Sequence, residues 1–214
     1  MAESLVLSIT DVHYGKKTST FSPEDVARRF ARLSNRMIGI AKERKPDELV
    51  VCLLGDINDG TDIYATQPHH QAISNVEEQA DDIGKILNRF LIDMGKSFRK
   101  VRVACIPGNH GRGGKSYHEA ASWDIVAYRY MKLGGLPDNV TVDLPRSGSS
   151  FLKQVTVQGK SILLYHGHDI KSAFGVPWYG IMNRTLRWKS TRQFGKVDAV
   201  LMGHFHSFGR WSFN

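Results

Sequence analysis

Five short apolar runs, each ending abruptly in a polar cluster, constrain this chain more than any other feature. They are Leu5 to Thr10, Leu49 to Leu54, Val101 to Ile106, Ser161 to Tyr165 and Val197 to Met202. Their Val, Ile and Leu content is that of buried strands. Between the first two, Ser22-Pro23-Glu24-Asp25 supplies an N-cap, a proline at the first helical position and acids in the first turn. Val26, Phe30, Leu33, Met37 and Ile40 follow in steps of four and three and make one apolar helix face. The helical pattern returns from about Gln71 to Met94 through Val76, Ile83, Leu87, Phe90 and Leu91, and a third helix is predicted over Tyr117 to Leu133. Strands alternating with helices imply a mainly parallel, right-handed α/β arrangement early in the chain. Phe151 to Val157 and Ser161 to Tyr165, joined across Gln158-Gly159-Lys160, read as a hairpin, so the second half is richer in β-structure.

The chain has 214 residues, within the reach of one hydrophobic core, and neither an internal repeat nor a low-complexity tract divides it. A single domain over residues 1–214 is expected. With 41% hydrophobic and 23% charged residues the composition is that of a soluble globular protein, not of a disordered or membrane one. The start of the chain, Met1-Ala2-Glu3-Ser4 before Leu5 to Ile9, lacks a basic leader and a long apolar stretch, so a cytoplasmic location without membrane partners is expected. Cys52 and Cys105 lie inside apolar runs and read as core thiols, neither a disulfide pair nor metal ligands. The formal charge of +8 favours polyanionic partners.

In open α/β sheets ligands bind outside the carboxyl ends of the strands, and every polar cluster here falls at such an end. The clusters are Asp11-Val12-His13, Gly55-Asp56-Ile57-Asn58-Asp59, Gly108-Asn109-His110, His166-Gly167-His168-Asp169 and Gly203-His204-Phe205-His206. One such histidine is most often a satisfied core residue. Five clusters in succession, each after a strand, reverse that reading. Carboxylate with imidazole suits Zn, Mn, Fe or Co, and the lack of nearby thiolates argues against a closed structural zinc site.

In this order the blocks resemble the signature of the calcineurin-like metallophosphoesterases: Asp-x-His, Gly-Asp-x-x-Asp, Gly-Asn-His, a lone His, then Gly-His-x-His, from Asp11 to His206. The resemblance implies an α/β fold, a four-layer αββα sandwich of two mixed β-sheets flanked by helices, with the site at one edge. It implies that Asp11, His13 and His206 hold one metal, that Asn109, His166 and His204 hold the other, and that Asp56 bridges them. Two divalent ions are expected, manganese first, with Fe, Zn, Co or Ni as alternatives. Water held between them would become acidic and attack phosphorus in line as hydroxide. His110 is then the candidate to protonate the leaving alkoxide, and the resemblance suggests that Asp59 orients and charges that imidazole. A structural cap is the other reading of Asp59. Either His166 or His168 could face the metals. His166, directly after the strand, is the choice, which leaves His168 for a supporting contact or for substrate.

Two positions depart from the family. Gly111 stands where members often carry an acid after Gly-Asn-His, and Gly60 where many phosphoprotein phosphatases carry an Arg, so kinship to protein Ser/Thr phosphatases is doubtful. Arg112, in the basic loop Gly111-Arg112-Gly113-Gly114-Lys115, is a candidate for substrate phosphate or else a solvated turn. His69 and His70 belong to a surface loop or to the entrance of the site, and His118 reads as an ordinary helix residue.

From Asn183 to Lys196 the chain carries Arg184, Arg187, Lys189, Arg192 and Lys196 and no acid, with Trp178 and Tyr179 before and Trp188 and Phe194 within. Basic groups alternating with rings suit a nucleic-acid strand, which makes Arg184, Arg187, Lys189 and Arg192 candidate substrate contacts. An amphipathic helix with core aromatics and solvated charges is the competing reading. The first expectation is a phosphodiesterase or nuclease acting on DNA, similar to the DNA-repair nucleases and phage-encoded relatives in the family. The alternatives are an enzyme for cyclic nucleotides, nucleotides or phosphomonoesters, phosphoproteins included, and a catalytically silent metal-binding scaffold. The complete ligand set and His110 argue against the scaffold. Eight residues, Ser207 to Asn214, follow His206, room for one closing strand and less than the capping region of nuclease relatives. A minimal enzyme, a partner supplying the cap or a piece of a longer protein would each account for this, and a homodimer is the other expectation for partners.

Overall fold

The computed structural model describes residues 3–114, 121–145, 151–171, 177–191, 194–210 and 212. Helix α1 (Pro23–Arg44) begins where the capping signal places it, with the Asp25 carboxylate accepting the Ser22 N–H at 2.9 Å. Strands β1 (Ser4–Ile9) and β2 (Glu48–Leu53) flank it. Helix α2 (Val76–Ser97) starts later than the apolar pattern suggests, because the Asn75 side chain accepts the Glu77 N–H at 2.9 Å and caps it there. Strand β3 (Val101–Cys105) follows. Helix α3 (Trp123–Leu133) is also shorter than expected: residues 121 and 122 are not helical, and Ser122 is its N-cap. Tyr117 and His118 lie outside the described residues.

These elements build a sheet in the order β1-β2-β3-β4, parallel throughout. Strand β4 (Val140–Asp143) has no counterpart among the five apolar runs, being four residues long with an exposed Thr141 and Asp143. Each new strand joins the same edge after a helix, and α1, α2 and α3 consequently share one face. Their Phe30, Leu87, Leu91 and Tyr128 pack on Leu49, Val51, Leu53 and Val103.

The other face is covered by a second sheet, β5-β6-β7, in which β5 (Leu152–Val157) is antiparallel to β6 (Lys160–Tyr165) and β6 parallel to β7 (Ala199–Met202). Val50, Cys52, Leu54 and Ile106 meet Val155, Val157 and Leu164 between the sheets. Alternate residues of β2 therefore serve different cores, and this is why the run is apolar at every position. Beyond the second sheet, Leu163 and Tyr165 pack on Ile181 and Trp188 of α4 (Trp178–Ser190). The result is an αββα sandwich whose second sheet is mixed. Among the described residues no strand follows β7, and no helix is long and apolar enough to cross a membrane.

At the amino end of β2 and β3, Arg102 donates to Glu48 through Nε at 2.8 Å and Nη2 at 3.0 Å, and to the Thr156 carbonyl at 2.8 Å. One guanidinium thus joins two strands and both sheets. The Arg102 hydrogen bond, followed by that from Lys100, holds the Glu48 carboxyl below its ordinary value. A depressed folded-state value means that the stabilisation is present above the unfolded-state pKa of about 4.3 and is lost as pH falls through the folded one. Glu48→Gln is expected to cost about 1–2 kcal/mol at pH 7, and the gap from the parent should close as pH falls below about 4. Denaturant unfolding at both pH values checks this; a gap unchanged by pH would assign the loss to packing.

Candidate active site

The segments after the strands remain paired to one another. Asp11 donates its N–H to Gly55 at 3.1 Å, His13 to Asp56 at 3.0 Å and Tyr14 to Ile57 at 2.9 Å, while Gly203 donates to His166 at 3.1 Å. Within these zipped loops Asp11, His13, Asp56, His204 and His206 all have left-handed backbones, with φ of 52°, 48°, 50°, 72° and 50°. Such conformations cost about 1–3 kcal/mol each outside glycine and persist where the surroundings enforce them. The glycines of the second and third clusters allow backbone to touch backbone. A Cβ on Gly55 would lie 2.3 Å from Gly108 N, and one on Gly108 would lie 2.1 Å from Asp56 Oδ1.

Seven side chains converge on this rim. His13 Nε2 is 3.1 Å from His206 Nε2, which is 3.4 Å from Asp11 Oδ1. His166 Nε2 is 3.0 Å from Asp56 Oδ2 and 2.9 Å from Asn109 Oδ1, and the His166 and His204 rings are 5.3 Å apart. Three trios have their donor atoms within 4.8 Å of one another: Asp11, His13 and His206; His13, Asp56 and His110; Asp56, His166 and His204. The middle trio shares His13 with the first and Asp56 with the third. Three of these side chains are aimed by a bond on the far side. His166 Nδ1–H donates to the Leu54 carbonyl at 2.7 Å, Asn109 Nδ2 donates to Tyr64 Oη at 2.9 Å, and both Asp11 oxygens accept the His204 N–H, at 3.0 and 2.9 Å.

Burial raises the Asp11 and Asp56 carboxyls, but hydrogen bonds with His206 and His166 outweigh it, and both stand below the ordinary carboxylate value. Burial pulls the His166 imidazole down, Asp56 more than offsets it, and the net direction is up. The bond to Asp11 raises His206, whereas burial lowers His204. Oxygen and imidazole donors with opposed charges at such spacing fit divalent cations. The thiols do not compete: Cys52 and Cys105 are buried, and burial pushes Cys52 to about 12 and Cys105 higher.

Asp59 stands between two imidazoles. Its Oδ1 is 3.2 Å from His13 Nδ1 and 3.5 Å from His110 Nδ1, and those rings meet edge-on at 4.4 Å. The sequence pairing of Asp59 with His110 alone is thus incomplete, since the shorter contact is to His13. Gln67, buried and not anticipated, has Nε2 3.1 Å from His110 Nδ1 and donates to the Asp59 carbonyl at 2.5 Å.

His168 belongs to none of the trios. Its ring stands edge-on to Phe151 at 4.4 Å, and burial lowers its pKa to about 4, so it is neutral at pH 7. Arg112 Nε donates to the Asn109 carbonyl at 3.1 Å, beside the centre. Arg184 is paired with Asp169 at 2.5 Å, while Arg187 and Lys189 are exposed on α4; Arg192 lies outside the described residues. Of the interleaved rings, Trp188 is buried against Tyr165 and Phe194 packs in the same cluster, as an amphipathic helix requires, while Tyr179 is exposed. His70 lines a cleft beside His110.

The residue that sequence reasoning missed altogether is Asp124. Its carboxylate accepts N–H bonds from Asp56 at 2.9 Å, Ile57 at 3.0 Å, Asn58 at 3.0 Å and Gly108 at 2.8 Å, and the Asn58 side chain at 3.3 Å. Burial, then the Asp56 charge, push its pKa up, and the amides of Asn58 and Gly108 oppose this. All five bonds are donated to it, which is the pattern of a carboxylate and not of an acid. The available signal was Ser122-x-Asp124, a helix start, hidden by the longer helix read across it. The two family departures fall on the same framework. A Cβ on Gly111 would lie 3.1 Å from Asp124 Cγ, and one on Gly60 would lie 2.1 Å from the His110 carbonyl oxygen.

A protein-family model described as calcineurin-like phosphoesterase matches residues 5–208. Among curated proteins, the chain is similar to the DNA polymerase II small subunit of Methanothermobacter thermautotrophicus, 29% identical over 107 residues, which are 49% of this chain and 20% of that protein. The chain therefore spans about a fifth of that relative's length.

Asp124→Ala leaves five buried donors without their acceptor and is expected to cost about 3–5 kcal/mol. Asp124→Asn, close to isosteric, should weaken any divalent-metal binding at the rim roughly 10–100-fold, although Asp124 belongs to none of the trios. Thermal unfolding and divalent-metal titration check the pair; a metal affinity unchanged in Asp124→Asn would show that the loops hold their shape without this carboxylate.

Proposed function

Because the chain belongs to the calcineurin-like phosphoesterase family, we propose that it is a metal-dependent phosphoester hydrolase, and more narrowly a phosphodiesterase acting on nucleic acid, DNA first. The observation that carries the reading is the run of three overlapping donor trios, linked in turn through His13 and Asp56, with His110 in the middle one. Asp11, His13 and His206 would hold one divalent ion, Asn109, His166 and His204 a second, and Asp56 both, manganese being the first choice. Bound there, two such ions would acidify a shared water and neutralise charge on the phosphoryl oxygens.

The chain's own residues supply the rest. His110 Nδ1 faces Asp59 and Gln67, which leaves Nε2 as the nitrogen turned to substrate. To act as the acid, His110 would offer Nε2–H to the departing oxygen while its Nδ1 side is held by Asp59 and Gln67. After giving up that proton it keeps the Asp59 contact, so the ring does not turn over. Asp59 meanwhile fixes His13 with Nε2 inward. For the polyanion, Arg112 stands beside Asn109, and Arg187 and Lys189 are exposed on α4. Arg184 is already neutralised by Asp169 and contributes less. The net charge of +8 and the similarity to a DNA polymerase subunit support the same direction. A small ester substrate is the second reading, favoured by the burial of Trp188, which removes that ring from stacking.

His110→Ala is expected to retain its metal while losing about 10²–10⁴ of turnover; elemental analysis showing lost metal would refute the proton-donor role. Asp56→Ala should empty or scramble both metal positions. Hydrolysis of bis-p-nitrophenyl phosphate, p-nitrophenyl phosphate and labelled single- and double-stranded DNA, with manganese or chelator, decides between diester and monoester. If DNA is the substrate, affinity should fall steeply with added salt. Cleavage of the monoester alone would overturn the nuclease reading.

A further inference from the structure

The candidate site opens on two sides. Beside Asp11 and His206 a cleft of about 400 Å³ runs out past Phe208. Beside His110 lies a second, of about 240 Å³, lined by Lys16, Tyr64, Thr66 and His70, with Gln67 and His110 beneath. On the phosphodiesterase reading, we propose that this second cleft receives the nucleoside of the leaving group, its base stacked on Tyr64 and its next phosphate against Lys16.

The side follows from the proton donor. The departing oxygen must come within about 2.6–3.2 Å of His110, so whatever that oxygen carries continues into the space beside His110. That space is the smaller cleft. Its wall presents Tyr64, an aromatic residue that is 42% exposed. The ring is held in place: Tyr64 Oη accepts from Asn109 Nδ2 at 2.9 Å, and its centroid lies 4.9 Å from that of His110, tilted by 44°. A pinned ring loses little side-chain freedom when a planar group stacks on it. Bases stack on such rings whatever their sequence. Thr66 and His70 offer hydrogen-bonding groups to a base edge or a sugar, and Lys16 brings a full positive charge to the same cleft. The volume lies below the roughly 300–1,000 Å³ of drug-sized sites, which suits one nucleoside and not a run of bases.

The test uses the full chain with manganese and two substrates: a dinucleotide carrying a terminal phosphate on its leaving nucleoside, and the same compound with an abasic leaving sugar. The parent should prefer the base-bearing compound in kcat/KM by roughly 5- to 150-fold, the range that one stacked base supplies. Tyr64→Leu should bring that ratio to about one. Tyr64→Phe should keep the ratio, although it releases Asn109. Because the ratio compares two substrates on one protein, it is insensitive to any loss of metal caused by the freed Asn109. Lys16→Ala should lower kcat/KM for the terminally phosphorylated dinucleotide and reduce the salt slope of its binding to the metal-free protein by about one. A preference that survives Tyr64→Leu, or a parent that cleaves both compounds equally, overturns the assignment and leaves the phosphodiesterase reading standing. Silence on every diester, bis-p-nitrophenyl phosphate included, overturns that reading and this inference together.

Discussion

The site depends on one buried carboxylate that belongs to none of the metal-donor trios. Asp124 gathers the N–H groups of Asp56, Ile57, Asn58 and Gly108, which come from the ends of two adjacent strands. Those loops carry Asp56, Asp59, Asn109 and His110. Without an acceptor, their inward-turned amides would be buried donors with no partner, each costing about 1–3 kcal/mol. With one, the same amides become the means of setting four functional side chains at once. The arrangement couples the start of α3 to the centre, so helix and site form or fail together.

A similar economy governs the histidines. An imidazole has two nitrogens, and fixing one decides what the other can do. Leu54 takes Nδ1–H of His166, Asp59 faces Nδ1 of both His13 and His110, and in each case Nε2 is left for the reaction side. Sharing Asp59 ties His110, the proposed proton donor, to a residue of the first donor trio through a single buried charge. Its carboxyl is raised by burial, yet bonds with His110 and then His13 bring it below the ordinary value, so that charge persists at neutral pH.

Much of this was legible in the sequence where the cause is local or periodic. The apolar runs announced buried strands, Ser22 to Asp25 announced α1, and the clusters at the strand ends named the seven converging side chains. The spacing rules fail where the partner is distant. Asp124 matters because of amides 16 and 66 to 68 residues earlier, and no local pattern encodes that. Strand β4 was missed because four residues, Val140 to Asp143, are too few for a periodicity. In α4 the alternation of bases and rings was real, but burial of Trp188 shows that its period is that of a helix packing on a sheet, with the charges as the solvated face.

The distribution of strain argues for a division of labour along the strands. At the carboxyl ends, five non-glycine residues hold left-handed backbones and buried polar donors crowd together, arrangements that oppose folding. At the amino ends lies the reverse, a two-point Arg102–Glu48 pair that joins neighbouring strands and, through Thr156, both sheets. Between them the strands contribute two continuous apolar cores, one to each face of the first sheet. Full burial of each Leu or Val there is worth about 1.5–3 kcal/mol, so a few such residues offset the strain of one loop. A parallel sheet suits this, because it sends every loop after a strand to the same rim while every strand shares the same cores. The chemistry can then be held in unfavourable geometry at one end only because the other end and the middle have no chemistry to perform.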